Sequence, residues 1–340
     1  MSIKVIYNYD LSGHNTFGFK VSCAQFIDYN EAEELPQIFQ QQINGKKYLH
    51  IGGGSNLLFT KGYDGVVLHS SIKSIETISE DADNVTLKVG AGVTLDDLIE
   101  QVSERGLWGI ENLSDIPGEM GAAAVQNVGA YGVEIKDVVM EVSCYDTVDK
   151  QFKTIQASEC GYGYRQSLFK QADVKGRYII THVTIKLSKK ACPKVEYGNI
   201  AKHLPEDGKI ESPKELRDII IKIRREKLPI PSETGSAGSF FKNPVISAEA
   251  FEALTAIASS EVPHYITETG YKVPAAWLID QCGWKGKTLG NAGVWHKQPL
   301  VLVNATGNAR PEEIINLENQ IIASVKERFE VTLEPEVEHV

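Results

Sequence analysis

The chain has no C-x-x-C spacing: its five cysteines, Cys23, Cys144, Cys160, Cys192 and Cys282, are odd in number and widely scattered. That excludes a disulfide scaffold or a thiolate zinc site and suits reduced thiols. Its eight histidines form no H-x-x-x-H or H-E-x-x-H pair, so no metal site is expected. No stretch approaches eighteen uninterrupted apolar residues, and Met1 to Asp10 shows no basic region followed by an apolar run. The expectation is a cytoplasmic protein with no membrane partner. Long Lys/Arg blocks are also missing, and 35 Lys and Arg against 45 Asp and Glu leave a net charge of −10. This argues against nucleic acid as a partner and leaves room for a small anionic substrate in a local basic pocket. What remains is 340 residues, 42% hydrophobic and 24% charged, without repeats or low-complexity tracts. Such a chain makes about two globular domains.

Local patterns point to an α+β fold with mixed sheets. Lys47 to Ile51 is a short apolar strand running into Gly52-Gly53-Gly54-Ser55-Asn56, after which Leu57, Leu58 and Phe59 resume an apolar run. Val85 to Val89 alternates as a strand; Thr94 then opens a helix that Gly106 closes, with Asp97 placed for a capping-box contact. Strands follow around Val138 to Tyr145 and Tyr178 to Leu187. Ser212, Pro213 and Glu215 start a helix that faces its core with Leu216, Ile219, Ile220 and Ile223 and ends before Pro229. Arg224, Arg225 and Lys227 in its last turn either complement the helix dipole or meet an anion. A second helix, Pro311 to Phe329, carries the stripe Ile314, Leu317, Ile321, Val325 and Phe329. Val331 to Val337 then alternates as a final strand, which Pro335 assigns to an edge or a cleft rim.

Consecutive glycines let backbone N–H groups converge, so Gly52 to Asn56 reads either as a plain turn or as a nest for phosphate. It has neither the lysine of a P-loop nor G-x-G-x-x-G spacing. Asp115 to Gly132 gathers four glycines and three adjacent alanines around Gln126 and Asn127, which suits either close helix packing or backbone approach to a polar ligand. Two such loops favour one diphosphate-bearing cofactor. Gly235 to Pro244 contains Ser239, but Phe240 and Phe241 follow it where a nucleophile elbow would have x-Gly. Lys242 and Asn243 beside it, with the upstream cations, form either a phosphate-binding group or a polar loop. Tyr162, Tyr164, Arg165 and Tyr197 read as aromatic packing around a cation or as a clamp for a planar carboxylate.

Together, Asn15-Thr-Phe17, Gly52-Gly-Gly-Ser-Asn-Leu57, Ile116-Pro-Gly118, Gln126-Asn-Val-Gly-Ala-Tyr-Gly132, Tyr164-Arg165, Arg224-Arg-Glu-Lys-Leu-Pro229, Gly238-Ser-Phe-Phe-Lys-Asn-Pro244 and Leu333-Glu-Pro-Glu-Val337 resemble, in order and spacing, the UDP-N-acetylenolpyruvoylglucosamine reductases. These are flavoenzymes of bacterial cell-wall precursor synthesis. The resemblance spans nearly the whole chain. It implies an FAD-binding fold of the vanillyl-alcohol-oxidase type, with subdomains at 1–70 and 71–210, the latter carrying a tyrosine loop. A substrate domain at 211–330 and a C-terminal strand at 331–340 returning to the active site complete it.

The same resemblance implies non-covalent FAD, NADPH as hydride donor and UDP-N-acetylglucosamine enolpyruvate as substrate, in a monomer. FAD contacts then fall to Gly52, Gly53, Gly54, Ser55, Asn56, Leu57, Ile116, Pro117, Gly118, Gly121, Ala122, Ala123, Gln126, Asn127, Gly129 and Tyr131. Arg165 and Glu336 take the positions that stabilise charge on the enolpyruvyl carboxylate, and Ser239 that of the acid protonating the α-carbon. Tyr164, Tyr197, Arg224, Lys227, Asn243 and Gln298 become substrate contacts, Tyr197 on the mobile loop of the longer subtype. Two other readings stay open: an oxidase of another small alcohol, marked by prompt reoxidation by oxygen, and a nucleotide-sugar-binding protein, marked by the lack of a flavin band.

Overall fold

The computed structural model describes residues 3–198 and 200–340. Met1 and Ser2, part of the Met1–Asp10 stretch, lie outside the described residues, as does Asn199 beside the Tyr197 loop. The chain divides into two compact units. The first holds 1–9, 22–53 and 63–224; the second holds 10–21, 54–62 and 225–340. Against the expected boundaries, the helix Pro213–Lys227 lies almost wholly in the first unit, and two early segments belong with the last third of the chain.

Two larger sheets, besides the short ribbon of Gly129–Ala130 with Val133–Glu134, shape the first unit. In one, Ser22–Tyr29 and Tyr48–Ile51 run parallel to the central strand Tyr63–Ser70, with Val5–Asp10 outermost. Parallel pairing needs crossovers and two covered faces, and the central strand accordingly reads Val66-Val67-Leu68, all fully buried. The other sheet has five antiparallel strands in the order Gln151–Gln156, Val139–Asp146, Tyr178–Ser188, Asn84–Gly90, Ile75–Glu80. Helices Leu95–Glu104 and Met120–Gln126 bury Leu98, Ile99, Val102 and Ala124 in the same core as Leu87, Val183 and Ile185.

The expected cap on the first of these helices is corrected: Thr94 makes no side-chain cap. Asp96 in the first turn instead ties the helix to its neighbours, accepting the Asp115 amide at 2.6 Å and pairing with both Nη atoms of buried Arg217. Arg217 belongs to the helix Pro213–Lys227, whose Ser212 hydroxyl accepts the Glu215 amide as expected. Leu216, Ile220 and Ile223 of that helix close a satellite core on Trp108 and Ile200, each fully buried side chain contributing about 1.5–3 kcal/mol.

In the second unit, Gly235–Ser239, Val301–Asn304, Ala292–Val294 and Thr288–Leu289 form an antiparallel sheet covered by the helix Pro311–Phe329. That helix has the expected limits and buries all five stripe residues. Phe17, Phe19 and Leu58 complete this core. The expected final strand Val331–Val337 is not a strand. Val331, Leu333 and Val337 are buried as the alternation requires, but Pro335 cannot donate to a ladder, and only an isolated bridge to Phe241 forms there. The strand that does form is Glu338–His339, parallel to Leu57–Leu58. Among the described residues no helix is long and apolar enough to cross a membrane, and all five cysteines are free.

Candidate functional site

Within the first unit, the turn after Tyr48–Ile51 rests against the segment that leads into helix Met120–Gln126. A Cβ added at Gly52 would sit 3.1 Å from Ala122 Cβ and 3.2 Å from Glu119 Oε2. At Gly53 a Cβ would meet only Gly118 Cα, at 3.8 Å. At Gly53 and Gly118 backbone therefore faces backbone with no side chain between, while Gly52 packs against the Ala122 and Glu119 side chains. This surface fits a diphosphate-bearing group, which needs close N–H approach without a Cβ. Gly121 is different: its amide already donates to the Ala91 carbonyl, and a Cβ there would lie 2.8 Å from Ala91 Cβ. Its glycine is needed for packing. Gly53→Val should therefore weaken FAD binding by about tenfold or more without lowering the melting temperature of the apoprotein, whereas Gly121→Val should lower both. Flavin fluorescence titration with a thermal melt of each apoprotein checks this; unchanged FAD affinity in Gly53→Val removes the cradle.

An ion cluster braces the same place. His69, on the central strand and in register with Asp28, puts Nδ1 2.8 Å from Asp28 and Nε2 2.9 Å from Glu119. Burial alone would lower the imidazole pKa, but hydrogen bonds to the two carboxylates outweigh it and raise it to about 9. His50 nearby is pushed down to about 4 by burial and stays neutral. A histidine whose folded pKa exceeds its ordinary 6.5 contributes stability in full below that value and loses it as pH rises through 9. At about 1.4 kcal/mol per pH unit the difference is about 3 kcal/mol. Between pH 6.5 and 9 the wild type should lose stability towards denaturant faster than His69→Gln; parallel pH curves would mean that His69 is neutral.

The next part of the unit is built on left-handed backbone. Asp115, Asn127, Tyr131 and Arg165 all have positive φ, at 61°, 46°, 49° and 55°. Asparagine and aspartate tolerate this region, whereas for tyrosine and arginine it stores about 1–3 kcal/mol of strain, a mark of functional segments. Asn127 is fully buried. Its Nδ2 donates to the Gly163 carbonyl at 2.8 Å and to Glu134, and its Oδ1 accepts the Lys136 amide. Its side chain thus shapes the loop. Arg165 donates from Nη2 to the Gly129 carbonyl at 2.6 Å and from Nη1 to the Asn127 carbonyl at 3.5 Å, with its guanidinium over the Tyr164 ring. Gly129 leaves room for it, since a Cβ there would come within 3.1 Å of Nη1. Gln126 accepts from Lys170 Nζ. Tyr197 is exposed and lies beside Gly132. Arg224, expected as a substrate contact, is mostly buried and donates to the Asp115 carbonyl at 3.3 Å.

Within the second unit, Gly54 at φ 69° packs where any Cβ would overlap the His14 carbonyl. Ser239 ends its strand exposed, and a bulge separates it from Ser236 in the pairing with Val301–Asn304. Buried Phe240 and Phe241 anchor the next two positions. There the chain runs antiparallel to 334–337: the Lys242 amide donates to the Glu334 carbonyl at 2.9 Å and the Glu336 amide to the Phe240 carbonyl at 2.8 Å. Ser239 and Glu336 are thereby held on adjacent backbones. Asn243 spends its Oδ1 on the Ala275 amide, so a ligand contact falls to its NH2 group. The Lys227 carbonyl accepts from Trp295 Nε1, and the Gln298 carbonyl accepts the Val301 amide.

The cluster Asp28, His69 and Glu119 was missed in the sequence, where only a polar residue after Val66-Val67-Leu68 hinted at it. Asn112 was missed too: fully buried, it donates to the Tyr131 and Lys194 carbonyls at 2.9 and 2.8 Å and so ties two loops together.

Residues 29–153 match the family described as FAD binding domain, and residues 230–340 match UDP-N-acetylenolpyruvoylglucosamine reductase, C-terminal domain. With the α+β architecture and the bare-backbone surface, this makes the protein an FAD-binding oxidoreductase. The UDP-N-acetylenolpyruvoylglucosamine reductase of Bacteroides fragilis strain YCH46 is 45% identical over 333 residues, 98% of this chain and 99% of that one. That of Flavobacterium johnsoniae is 41% identical over 97% and 98%. The chain belongs to the UDP-N-acetylenolpyruvoylglucosamine reductase family. A crystal structure of the Thermus caldophilus protein of that name shares the fold, with a TM-score of 0.69, 24% identity and coverage of 100% of this chain and 99% of that one.

Proposed function

We infer that the protein uses non-covalent FAD to reduce the enolpyruvyl group of UDP-N-acetylglucosamine enolpyruvate to the lactyl ether of UDP-N-acetylmuramate, with NADPH as the hydride source. It acts as a cytoplasmic monomer, free of membrane and nucleic acid. The observation that carries this reading is the pairing that holds Ser239 beside Glu336 through the Phe240 carbonyl, in a chain alike end to end with named reductases. FAD supplies a hydride to the β-carbon of the double bond.

The protein's own groups do the rest. Arg165 meets the substrate carboxylate as negative charge builds on it, and Glu336 stabilises the same charge. The Ser239 hydroxyl gives its proton to the α-carbon as general acid. Gly52 to Leu57, Ile116 to Gly118 and the 121–131 segment hold the cofactor. Tyr164, Tyr197, Lys227, Asn243 and Gln298 contact the substrate. Arg224 acts on it through the Asp115 loop it holds.

Anaerobic addition of NADPH should bleach the flavin absorbance band, and the enolpyruvyl substrate should restore it, yielding a product heavier by two hydrogen atoms. A band that returns with oxygen but not with substrate overturns this reading in favour of a small-alcohol oxidase.

A further inference from the structure

The backbone around Glu336 lacks regular pairing, because Pro335 interrupts the ladder. On one side the Glu336 amide donates to the Phe240 carbonyl. On the other, Asn56 Nδ2 donates to the Glu336 carbonyl at 3.1 Å. The Asn56 carbonyl in turn accepts the Glu338 amide at 3.0 Å, and the pairing of Glu338–His339 with Leu57–Leu58 begins there. Asn56 thus grips the chain on both sides of Val337, once by side chain and once by main chain, and all these groups belong to the second unit. The main-chain bond survives any substitution. The side-chain bond holds the carbonyl end of the peptide plane after Glu336 at 3.1 Å, while the Val337 amide at its other end reaches the Phe240 carbonyl only at 3.5 Å, and that plane sets the direction of the Glu336 Cα–Cβ bond.

We propose that Asn56, in the glycine-rich loop, is the positioning residue for the Glu336 carboxyl group. The inference rests on the role given to Glu336 above. Without the bond the 335–337 segment loses its hold on the Glu336 carbonyl from Asn56, so the carboxyl group shifts relative to the reacting carbon. Charge stabilisation and proton placement are both steep functions of distance.

The test uses FAD-loaded protein and follows the two half-reactions separately across pH, with FAD affinity and melting temperature as controls. In FAD-saturated protein Asn56→Ala should slow flavin reoxidation by substrate by roughly tenfold to a hundredfold, as a misplacement near 1 Å does, shift the pH profile of that step, and slow reduction by NADPH far less than reoxidation. In a Glu336→Gln background the same change should cost less than about threefold, because coupled residues are not additive. Asn56→Leu keeps roughly the size of the side chain and removes the donor without adding a charge, so it decides the matter should alanine fail to fold. Normal reoxidation in the Asn56 variants, or full additivity with Glu336→Gln, overturns the inference. So does equal slowing of both half-reactions with loss of FAD, which would make Asn56 a cofactor contact only. Glu336→Gln that reoxidises normally instead overturns the role of Glu336 itself.

Discussion

Ser239→Ala will slow flavin reoxidation by the enolpyruvyl substrate by about a hundredfold to ten-thousandfold, the usual worth of a general acid, while NADPH reduces the flavin almost as fast as before. The structure sharpens this expectation. Ser239 is exposed at a strand end, and the buried anchors are its neighbours Phe240 and Phe241, so losing the hydroxyl leaves the second core intact. The melting temperature should stay within about 1–2 °C, since exposed substitutions rarely exceed ±0.5 kcal/mol. Ser239→Cys keeps a protic group and should lose less than alanine. It should also still deliver solvent deuterium to the α-carbon. Rapid-mixing traces of each half-reaction decide the question: equal slowing of both would make Ser239 a structural loop residue.

Arg165→Lys will be almost as damaging, with reoxidation down by about a hundredfold to a thousandfold, the range for losing one preorganised donor to a developing anion. A lysine keeps the charge but has no planar fork. It cannot reproduce the two bonds to the Gly129 and Asn127 carbonyls that orient the guanidinium, nor its face on Tyr164. The left-handed backbone at position 165 gives lysine no relief, so fold stability should barely change. Stopped-flow reoxidation at saturating substrate is the measurement, and a wild-type rate would take Arg165 out of the chemistry.

Local physics made much of this legible. The helix Pro311–Phe329 could be placed to its limits because one apolar stripe and a proline at its start are short-range signals. The motif residues could be named because each cluster is contiguous in sequence. Pairing across long separations was not legible. His69 looked like an ordinary core histidine, since its partners come from the neighbouring parallel strand and from the residue before helix Met120–Gln126. The alternation from Val331 to Val337 correctly marked which side chains are buried, yet it could not show that Pro335 would leave the segment without a ladder. Asn127 and Gly121, both expected at the cofactor, also have duties to their own chain. An amide or a glycine suits a ligand and a tight loop equally well.

The interleaving of the two units constrains how the protein is made on the ribosome. Phe17, Phe19 and Leu58 are fully or almost fully buried in the core completed by residues after Arg225. At roughly 5–20 residues per second, their partners from Phe240 onward emerge on the order of 10–40 s later. Through that interval the nascent chain carries two apolar segments with nowhere to go, on either side of the strand Ser22–Tyr29, which can already begin to pair. These segments are the natural targets for chaperones that bind the growing chain. A gene cut between Arg224 and Arg225 would yield a C-terminal fragment lacking part of its own core, so this family cannot be divided at the apparent domain boundary into two separately folding halves.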